Sequence, residues 1–92
     1  MAPRFTDEAI LRMRERRITR AEVDAVIDGG ETIREYPDDL PYPSRLVLGW
    51  VGSRPLHVVY AVNAERDEQI VITTYDPDPT LWEPDFKTRR HR

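Results

Sequence analysis

The chain has 92 residues, enough for one small domain that cannot enclose a large internal cavity, so any site must be a surface groove. The formal net charge is -3 with acids and bases intermixed, which argues against non-specific nucleic-acid affinity for the chain as a whole. The absence of cysteine excludes a disulfide framework and a thiolate metal site.

The chain also lacks the sequence features of membrane and secreted proteins. Its first residues contain no apolar run long enough for a signal peptide, and no stretch of about 18 apolar residues occurs further along. We therefore expect a soluble, cytoplasmic protein that makes no membrane contact. Basic residues still cluster between residues 12 and 20 and again from residue 87, so local basic patches remain available.

Two short amphipathic helices are predicted at the start of the chain. Thr6 can cap the first, because acids follow it in the first turn, and this helix should run to about Arg17. Thr19 and Glu22 have the spacing of a capping box, which starts the second helix. The glycine pair at residues 29–30 is interpreted as a left-handed stop for that helix.

Four strands are predicted after the helices, at residues 31–36, 45–51, 54–62 and 70–75. Strict alternation along the third strand places Leu56 and Val58 on one face and His57 on the other. The sequence therefore predicts an α+β fold in which two N-terminal helices pack on one face of a four-stranded antiparallel sheet.

The strand register is inferred by keeping the apolar faces together. The pairs chosen on this basis are Trp50 with Leu56, Leu48 with Val58, Tyr60 with Ile72 and Val58 with Thr74. The helices should then cover the face that bears Leu46, Leu48, Trp50, Leu56, Val58, Tyr60, Ile70 and Ile72. On the opposite face this register predicts one cross-strand row of Gly49, His57 and Tyr75.

The predicted row suggests proton transfer on a phosphodiester. An imidazole that titrates near neutral pH beside a phenol suits acid-base catalysis, so His57 and Tyr75 are the candidate catalytic pair. Arg45, on the same predicted face, would neutralise charge on the phosphate. Gly49 leaves room beside the imidazole, and Thr73 is a further candidate substrate contact. Two alternatives stay open: a half-buried structural role for His57, and a solvated strand-end position for Arg45.

The C-terminal end is interpreted as a tail. Residues 1–79 should form the single domain, and residues 80–92 should pack on it partly, through Trp82 and Phe86. Three bases in this tail are candidate substrate contacts through phosphates: Lys87, Arg89 and Arg90. The alternative is a disordered, solubilising terminus.

No metal and no cofactor are predicted. The histidines of the sequence are His57 and His91, and no cluster of histidine and acidic residues has the spacing of metal ligands. The sequence contains no glycine-rich phosphate loop and no serine-nucleophile motif.

Six stretches carry a family resemblance: residues 12–19, 36–39, 43–45, 54–59, 75–78 and 82–83. On these residues the chain is similar to the bacterial domain-of-unknown-function family 4258, which resembles the BrnT and RelE ribonuclease toxins in fold. The resemblance implies helices on one face of a curved sheet, RNA cleavage on the other, and a small antitoxin encoded nearby. Many relatives have a His-Ala pair where this chain has Glu8 and Ala9, so that histidine is lost or Glu8 acts as the base.

Two functions of different classes follow from these observations. The first is the toxin of a type II toxin-antitoxin pair, a metal-independent endoribonuclease that uses His57, Tyr75 and Arg45 and the substrate's own 2'-hydroxyl as nucleophile. The second is a non-catalytic module that binds a partner protein through the sheet face or an exposed edge. The expected partners are RNA and a small antitoxin that can itself bind DNA, with a homodimer as an open alternative.

Overall fold

The structure is a computed structural model that describes residues 3–91. Met1, Ala2 and Arg92, the last base of the predicted tail, lie outside these residues. Over the described range the elements are β1 (Arg4–Phe5), α1 (Asp7–Arg16), α2 (Arg20–Gly29), β2 (Glu31–Tyr36), β3 (Ser44–Val51), β4 (Arg54–Asn63) and β5 (Glu68–Tyr75). Neither helix in this range combines the length and the apolar character that crossing a membrane requires.

The fold is α+β, as predicted, but its open sheet is mixed rather than purely antiparallel. Among residues 3–91 the sheet has five strands in the order β1-β5-β4-β3-β2, and β1 runs parallel to β5. The prediction of four antiparallel strands is therefore wrong, because it omitted the parallel edge strand β1. A two-residue strand shows no alternation, so the sequence pattern could not reveal it.

Both predicted helix starts are confirmed. The Thr6 hydroxyl accepts a hydrogen bond from the Ala9 amide at 3.1 Å, and it donates to the carbonyl of Ile72 at 2.8 Å. The same hydroxyl therefore caps α1 and fastens it to β5. At α2 the capping box is complete, because Glu22 N–H donates to the Thr19 hydroxyl at 3.1 Å and Thr19 N–H donates to the Glu22 carboxylate at 2.8 Å.

The glycine pair does not supply the left-handed stop that was predicted. A left-handed residue ends α1 instead: Arg17, with φ 54°. Gly30 ends α2 in an extended conformation, with φ -80° and ψ 177°. A Cβ at Gly30 would collide with the Val26 carbonyl oxygen and lie 2.6 Å from that of Leu48. Glycine is needed at this position because the end of α2 lies close to the backbone of β3. The backbone conformation of Gly30 does not itself require glycine.

One face of the sheet, which we call the helix face, packs against α1 and α2. Its core cluster comprises Ala9, Met13, Ile18, Val23, Val26, Val47, Leu56, Val58, Tyr60 and Val71. The predicted alternation along β4 is confirmed, since Leu56, Val58 and Tyr60 all belong to this cluster.

The predicted register of the first hairpin is wrong by one residue. Gly49 pairs with Leu56 and Val47 pairs with Val58, so Val47 and Gly49 lie on the helix face. Leu46, Leu48 and Trp50 consequently lie on the opposite face, which we call the outer face. A two-residue turn with Gly52 at φ 63° joins β3 to β4, and it fixes this register. A slip of one residue reverses the side of every side chain in the strand.

The second hairpin follows the predicted register only in part. Val58 pairs with Thr74 as predicted, and a bulge between Val59 and Tyr60 then pairs Tyr60 with Val71 instead of with Ile72. Val71 therefore joins the core on the helix face, whereas Ile70 pairs with Ala61 on the outer face. Alternation of apolar residues cannot reveal an extra residue in one strand.

Residues 76–91, which we call the C-terminal segment, lie against the outer face. The Phe86 ring packs edge-on against Trp50 with ring centroids 5.9 Å apart, and the Trp82 ring packs edge-on against His57 at 4.7 Å. Trp82 is buried, and Trp50 keeps 52% of its surface exposed. The sheet is thus covered on both faces over part of its area.

Candidate functional site

The imidazole of His57 lies at the centre of the outer face and is fully buried, with 0% exposure. Its Nε2 is 2.7 Å from the carbonyl oxygen of Phe86, and its Nδ1 is 3.4 Å from the hydroxyl of Tyr75. A carbonyl only accepts, so Nε2 carries the proton and donates to Phe86. Nδ1 then presents its lone pair to Tyr75, whose hydroxyl donates across the longer contact.

Burial shifts both titratable members of this pair away from ionisation. It lowers the pKa of His57, and the hydrogen bond to the Phe86 carbonyl opposes part of that shift. Burial also raises the pKa of Tyr75, reinforced by Tyr36 and opposed by the Arg89 guanidinium. At neutral pH the pair is therefore an uncharged imidazole beside a protonated phenol.

Only part of the predicted row exists. His57 and Tyr75 do pair across β4 and β5, and Thr73 lies on the same face through its pairing with Val59. Gly49 is on the helix face, where a Cβ would lie 2.7 Å from a methyl carbon of Val26. The space beside the imidazole that Gly49 was expected to leave therefore does not exist.

Arg45 is also separated from the predicted pair. It pairs with Tyr60 across β3 and β4, and its guanidinium carbon lies 5.6 Å from the Tyr60 ring centroid, on the helix side of the sheet. The one-residue error in register that misplaced Gly49 misplaced Arg45 in the same way. A phosphate held near Tyr75 would need a different cation.

The three bases predicted in the tail have three different environments. Lys87 forms an ion pair with Glu31 at 3.3 Å. Arg90 forms one with Glu83 at 3.3 Å and also donates to the carbonyl of Pro79 at 2.9 Å. Arg89 has no carboxylate partner among the described ion pairs, and its guanidinium carbon lies 5.2 Å from the Trp82 ring centroid. Arg89 is therefore the tail base that retains most of its capacity to bind an anion.

A groove of about 500 Å³ opens beside Tyr75, and we call it the Tyr75 groove. Arg16, Tyr75, Leu81, Trp82 and Arg89 line it together with residues 76–79. Two predicted site residues, Tyr75 and Arg89, therefore line one surface, and the buried imidazole of His57 lies 3.4 Å from the Tyr75 hydroxyl. The groove thus combines two guanidinium groups with a phenol that contacts a histidine.

The acidic residues that line the Tyr75 groove are held by the protein's own donors. Arg54 contacts both carboxylate oxygens of Asp76, at 2.7 and 3.1 Å. One carboxylate oxygen of Asp78 accepts from the amide and the hydroxyl of Thr80, each at 2.8 Å. These contacts reduce the repulsion that the two carboxylates would exert on a bound anion.

Arg54 also fixes the position of the groove, although no role was predicted for it from the sequence. Its guanidinium donates to the carbonyl oxygens of Arg16 at 2.7 Å and Arg17 at 3.3 Å, which are left without helical partners at the end of α1. Together with its bond to Asp76, this places Arg16 next to the end of β5. The available signal was the presence of Arg16, Arg54 and Asp76 in stretches that carry the family resemblance.

The described residues offer no obvious metal centre. No group of three or more histidine, cysteine, aspartate or glutamate side chains in residues 3–91 has an arrangement that could hold a metal ion. His57 has both ring nitrogens in contact with protein groups, so its imidazole has no free ligand position in this conformation.

A comparison with protein-family models matches residues 5–76 to the family described as "Domain of unknown function (DUF4258)". The match spans α1, α2 and the five strands except for one residue of β1, so the chain belongs to this family. Comparisons with curated proteins and with solved structures gave no match. The C-terminal segment, apart from Asp76, lies beyond the matched residues.

Proposed function

We propose that this chain is the toxin of a bacterial type II toxin-antitoxin pair, with a RelE/BrnT-like fold, and that it cleaves RNA without a metal ion in the cytoplasm. The observation that carries the proposal is the Tyr75 groove, where Arg16 and Arg89 accompany a phenol that contacts a buried histidine. The partners proposed are RNA as the substrate and a small antitoxin encoded nearby.

The two arginines suit an RNA backbone. Guanidinium groups bind phosphate oxygens through several N–H donors, and release of counterions from the nucleic acid adds to the affinity. The net charge of -3 opposes binding elsewhere on the chain, which favours a local site over general attraction. Arg16 and Arg89 take the phosphate-holding role that was predicted for Arg45.

Tyr75 and His57 then act as a proton-transfer pair. Tyr75 takes the proton of the RNA 2'-hydroxyl and passes its own proton to Nδ1 of His57, while the 2'-oxygen attacks the adjacent phosphorus. The bond from phosphorus to the 5'-oxygen breaks, and that oxygen takes a proton from solvent or back from the pair. The Phe86 carbonyl keeps the proton of His57 on Nε2, so that Nδ1 is available as the acceptor.

The test measures growth arrest on expression in a bacterial host, and RNA cleavage by the purified chain in the presence of a chelator. We expect Tyr75→Phe to lower the cleavage rate by roughly 100-fold, because the phenol is the group that exchanges protons with the substrate. Arg89→Ala should weaken RNA binding and reduce its dependence on salt. Arg45→Ala is the matched control, since Arg45 lies on the helix side and should leave both properties unchanged.

Absence of cleavage by the parent chain, or cleavage that Tyr75→Phe leaves intact, would contradict the catalytic proposal. An equal loss of RNA binding in Arg45→Ala and Arg89→Ala would show that overall charge, and not the Tyr75 groove, attracts RNA.

The second candidate function is a non-catalytic interaction module. The observation that favours it is the complete burial of His57, which prevents the imidazole from touching a substrate directly. The strand β2 also forms an edge of the sheet, and a partner can add a strand there. A chain that binds its partner tightly, cleaves no RNA and keeps its affinity in Tyr75→Phe would support this function in place of catalysis.

A further inference from the structure

A second groove lies where the two helices meet β1, and it shares no lining residue with the Tyr75 groove. It measures about 330 Å³ and is lined by Phe5, Ile10, Met13, Arg14, Ile18 and Arg20. We call it the hairpin groove. Its volume is at the lower end of the range of roughly 300–1,000 Å³ for small-molecule sites, which suits one or two aliphatic side chains better than a cofactor.

The rim of the hairpin groove is positively charged. Arg14 rises from α1 and Arg20 from the first turn of α2, and neither forms an ion pair among the described residues. By contrast, the neighbouring Arg12 pairs with Glu15 at 3.0 Å. The Arg20 guanidinium carbon lies 4.8 Å from the Phe5 ring centroid, which keeps this cation at the groove.

We propose that the hairpin groove binds an acidic amphipathic helix of a protein partner. An aliphatic side chain of that helix would enter between Ile10, Met13 and Ile18, and carboxylates one turn away would meet Arg14 and Arg20. A helix provides this combination because residues three and four apart share a face. The binding does not require RNA cleavage, so a catalytically inactive chain would bind the same partner.

The apolar floor distinguishes this occupant from a nucleic acid. RNA would find two cations here, but the side chains of Ile10, Met13 and Ile18 have no hydrogen-bonding groups for base edges. The one aromatic ring of the groove, Phe5, already carries the Arg20 guanidinium and is therefore a poor stacking surface.

The test is a titration of the full chain, with labelled isoleucine and methionine methyl groups, followed by NMR. The probe is a synthetic peptide of about 18 residues with leucines along one helical face and glutamates elsewhere, long enough to form a helix on binding. We expect saturable shifts of the Ile10, Met13 and Ile18 methyl signals, and no shift for Ile33 on β2 or for Ile70 on the outer face. A peptide with lysines in place of the glutamates should bind much more weakly.

Two charge reversals complete the experiment. Arg14→Glu should lower the affinity for the acidic peptide by about fivefold or more, because a cation at the rim becomes a charge that repels the peptide. Arg66→Glu alters an exposed arginine in the β4–β5 loop by the same charge and should leave the affinity unchanged.

Three results would overturn the proposal: no binding of the acidic peptide, an equal loss in Arg14→Glu and Arg66→Glu, or shifts confined to methyl groups outside the groove. Self-association of the chain that shifts the same methyl signals without peptide would also overturn it, because a second copy would then be the occupant.

Discussion

The two faces of the sheet are covered in different ways. One covering only packs against the sheet, and the other also contacts the candidate catalytic residues. On the helix face, α1 and α2 meet β4 through apolar side chains such as Val26 and Val58. On the outer face, a segment without regular secondary structure covers His57 with the Trp82 ring and a backbone carbonyl. Apolar packing therefore holds the helices on the helix face, whereas individual polar contacts and aromatic rings hold the C-terminal segment on the outer face. Such contacts fix a tautomer and bring cations together, which apolar packing cannot do.

The strongest test of the helix face is Gly49→Val. A Cβ there would lie between 2.7 and 3.0 Å from three carbons of Val26, so α2 must move away from β3 to make room. We expect a loss of roughly 3 kcal/mol or more in the free energy of unfolding, measured by urea denaturation. Gly29→Ala is the control, because nothing lies within 4 Å of its Cβ position, and it should be neutral or stabilising. A Gly49→Val chain as stable as the parent would place Gly49 on the outer face.

Substitutions at two neighbouring valines compare how tightly the two faces of the sheet are packed. Val58 is fully buried on the helix face, and Val59 is half-buried on the outer face. Val58→Ala should lower the free energy of unfolding by about 1–3 kcal/mol, because it leaves a cavity in packed surroundings. Val59→Ala removes the same two methyl groups and should cost clearly less. Equal losses in the two denaturation curves would mean that the outer face is packed as tightly as the helix face.

Arg54 is the third test, and it concerns the end of the sheet where the two coverings meet. Arg54→Met keeps much of the apolar stem but removes the hydrogen bonds to Asp76 and to the α1 carbonyls. We expect a loss of about 1 kcal/mol, modest because the groups are partly exposed. Arg66→Met, in an exposed loop, should change stability little. A negligible difference between the two variants would show that the Arg54 contacts do not stabilise the fold.

The smallest effect is a pH dependence from His57. Because burial lowers its pKa in the folded state, the unfolded chain binds a proton more readily. The stability is therefore fully present above the unfolded value of about 6.5 and is lost as the pH falls below it. The free energy of unfolding should decline between about pH 7 and about pH 5.5, and this decline should be reduced in His57→Gln. His91→Gln, at the exposed second histidine, should keep the decline of the parent.

The parts of the fold that local chemistry specifies could be predicted from the sequence. Thr19 and Glu22 satisfy backbone hydrogen-bond donors at the start of α2 through local contacts alone. Leu56 and Val58 lie on the same face of β4 because no bulge separates them. The side chains of β3 could not be assigned, because the two-residue turn after Val51 decides the register and both faces of β3 carry apolar residues. When both faces of a strand are apolar, alternation does not indicate which face packs against the helices.

The candidate site was predicted only where it depends on a single strand pair. His57 and Tyr75 were placed together correctly because no bulge separates their pair from that of Val58 and Thr74. The covering of His57 by Trp82 and the Phe86 carbonyl could not be predicted, since a segment without periodicity carries no signal of where it lies. Arg16 was missed for a related reason, because its proximity to β5 arises from the Arg54 contacts.

The contacts of Arg54 also have a consequence for how the molecule opens. One guanidinium holds the last carbonyls of α1, which belongs to the layer on the helix face, and Asp76, where the segment over the outer face begins. A local fluctuation that lifts the segment at Asp76 must therefore release the end of α1 or break these bonds first. The two layers thus belong to one cooperative unit at this end of the sheet, and their backbone amides should exchange with solvent through a shared opening.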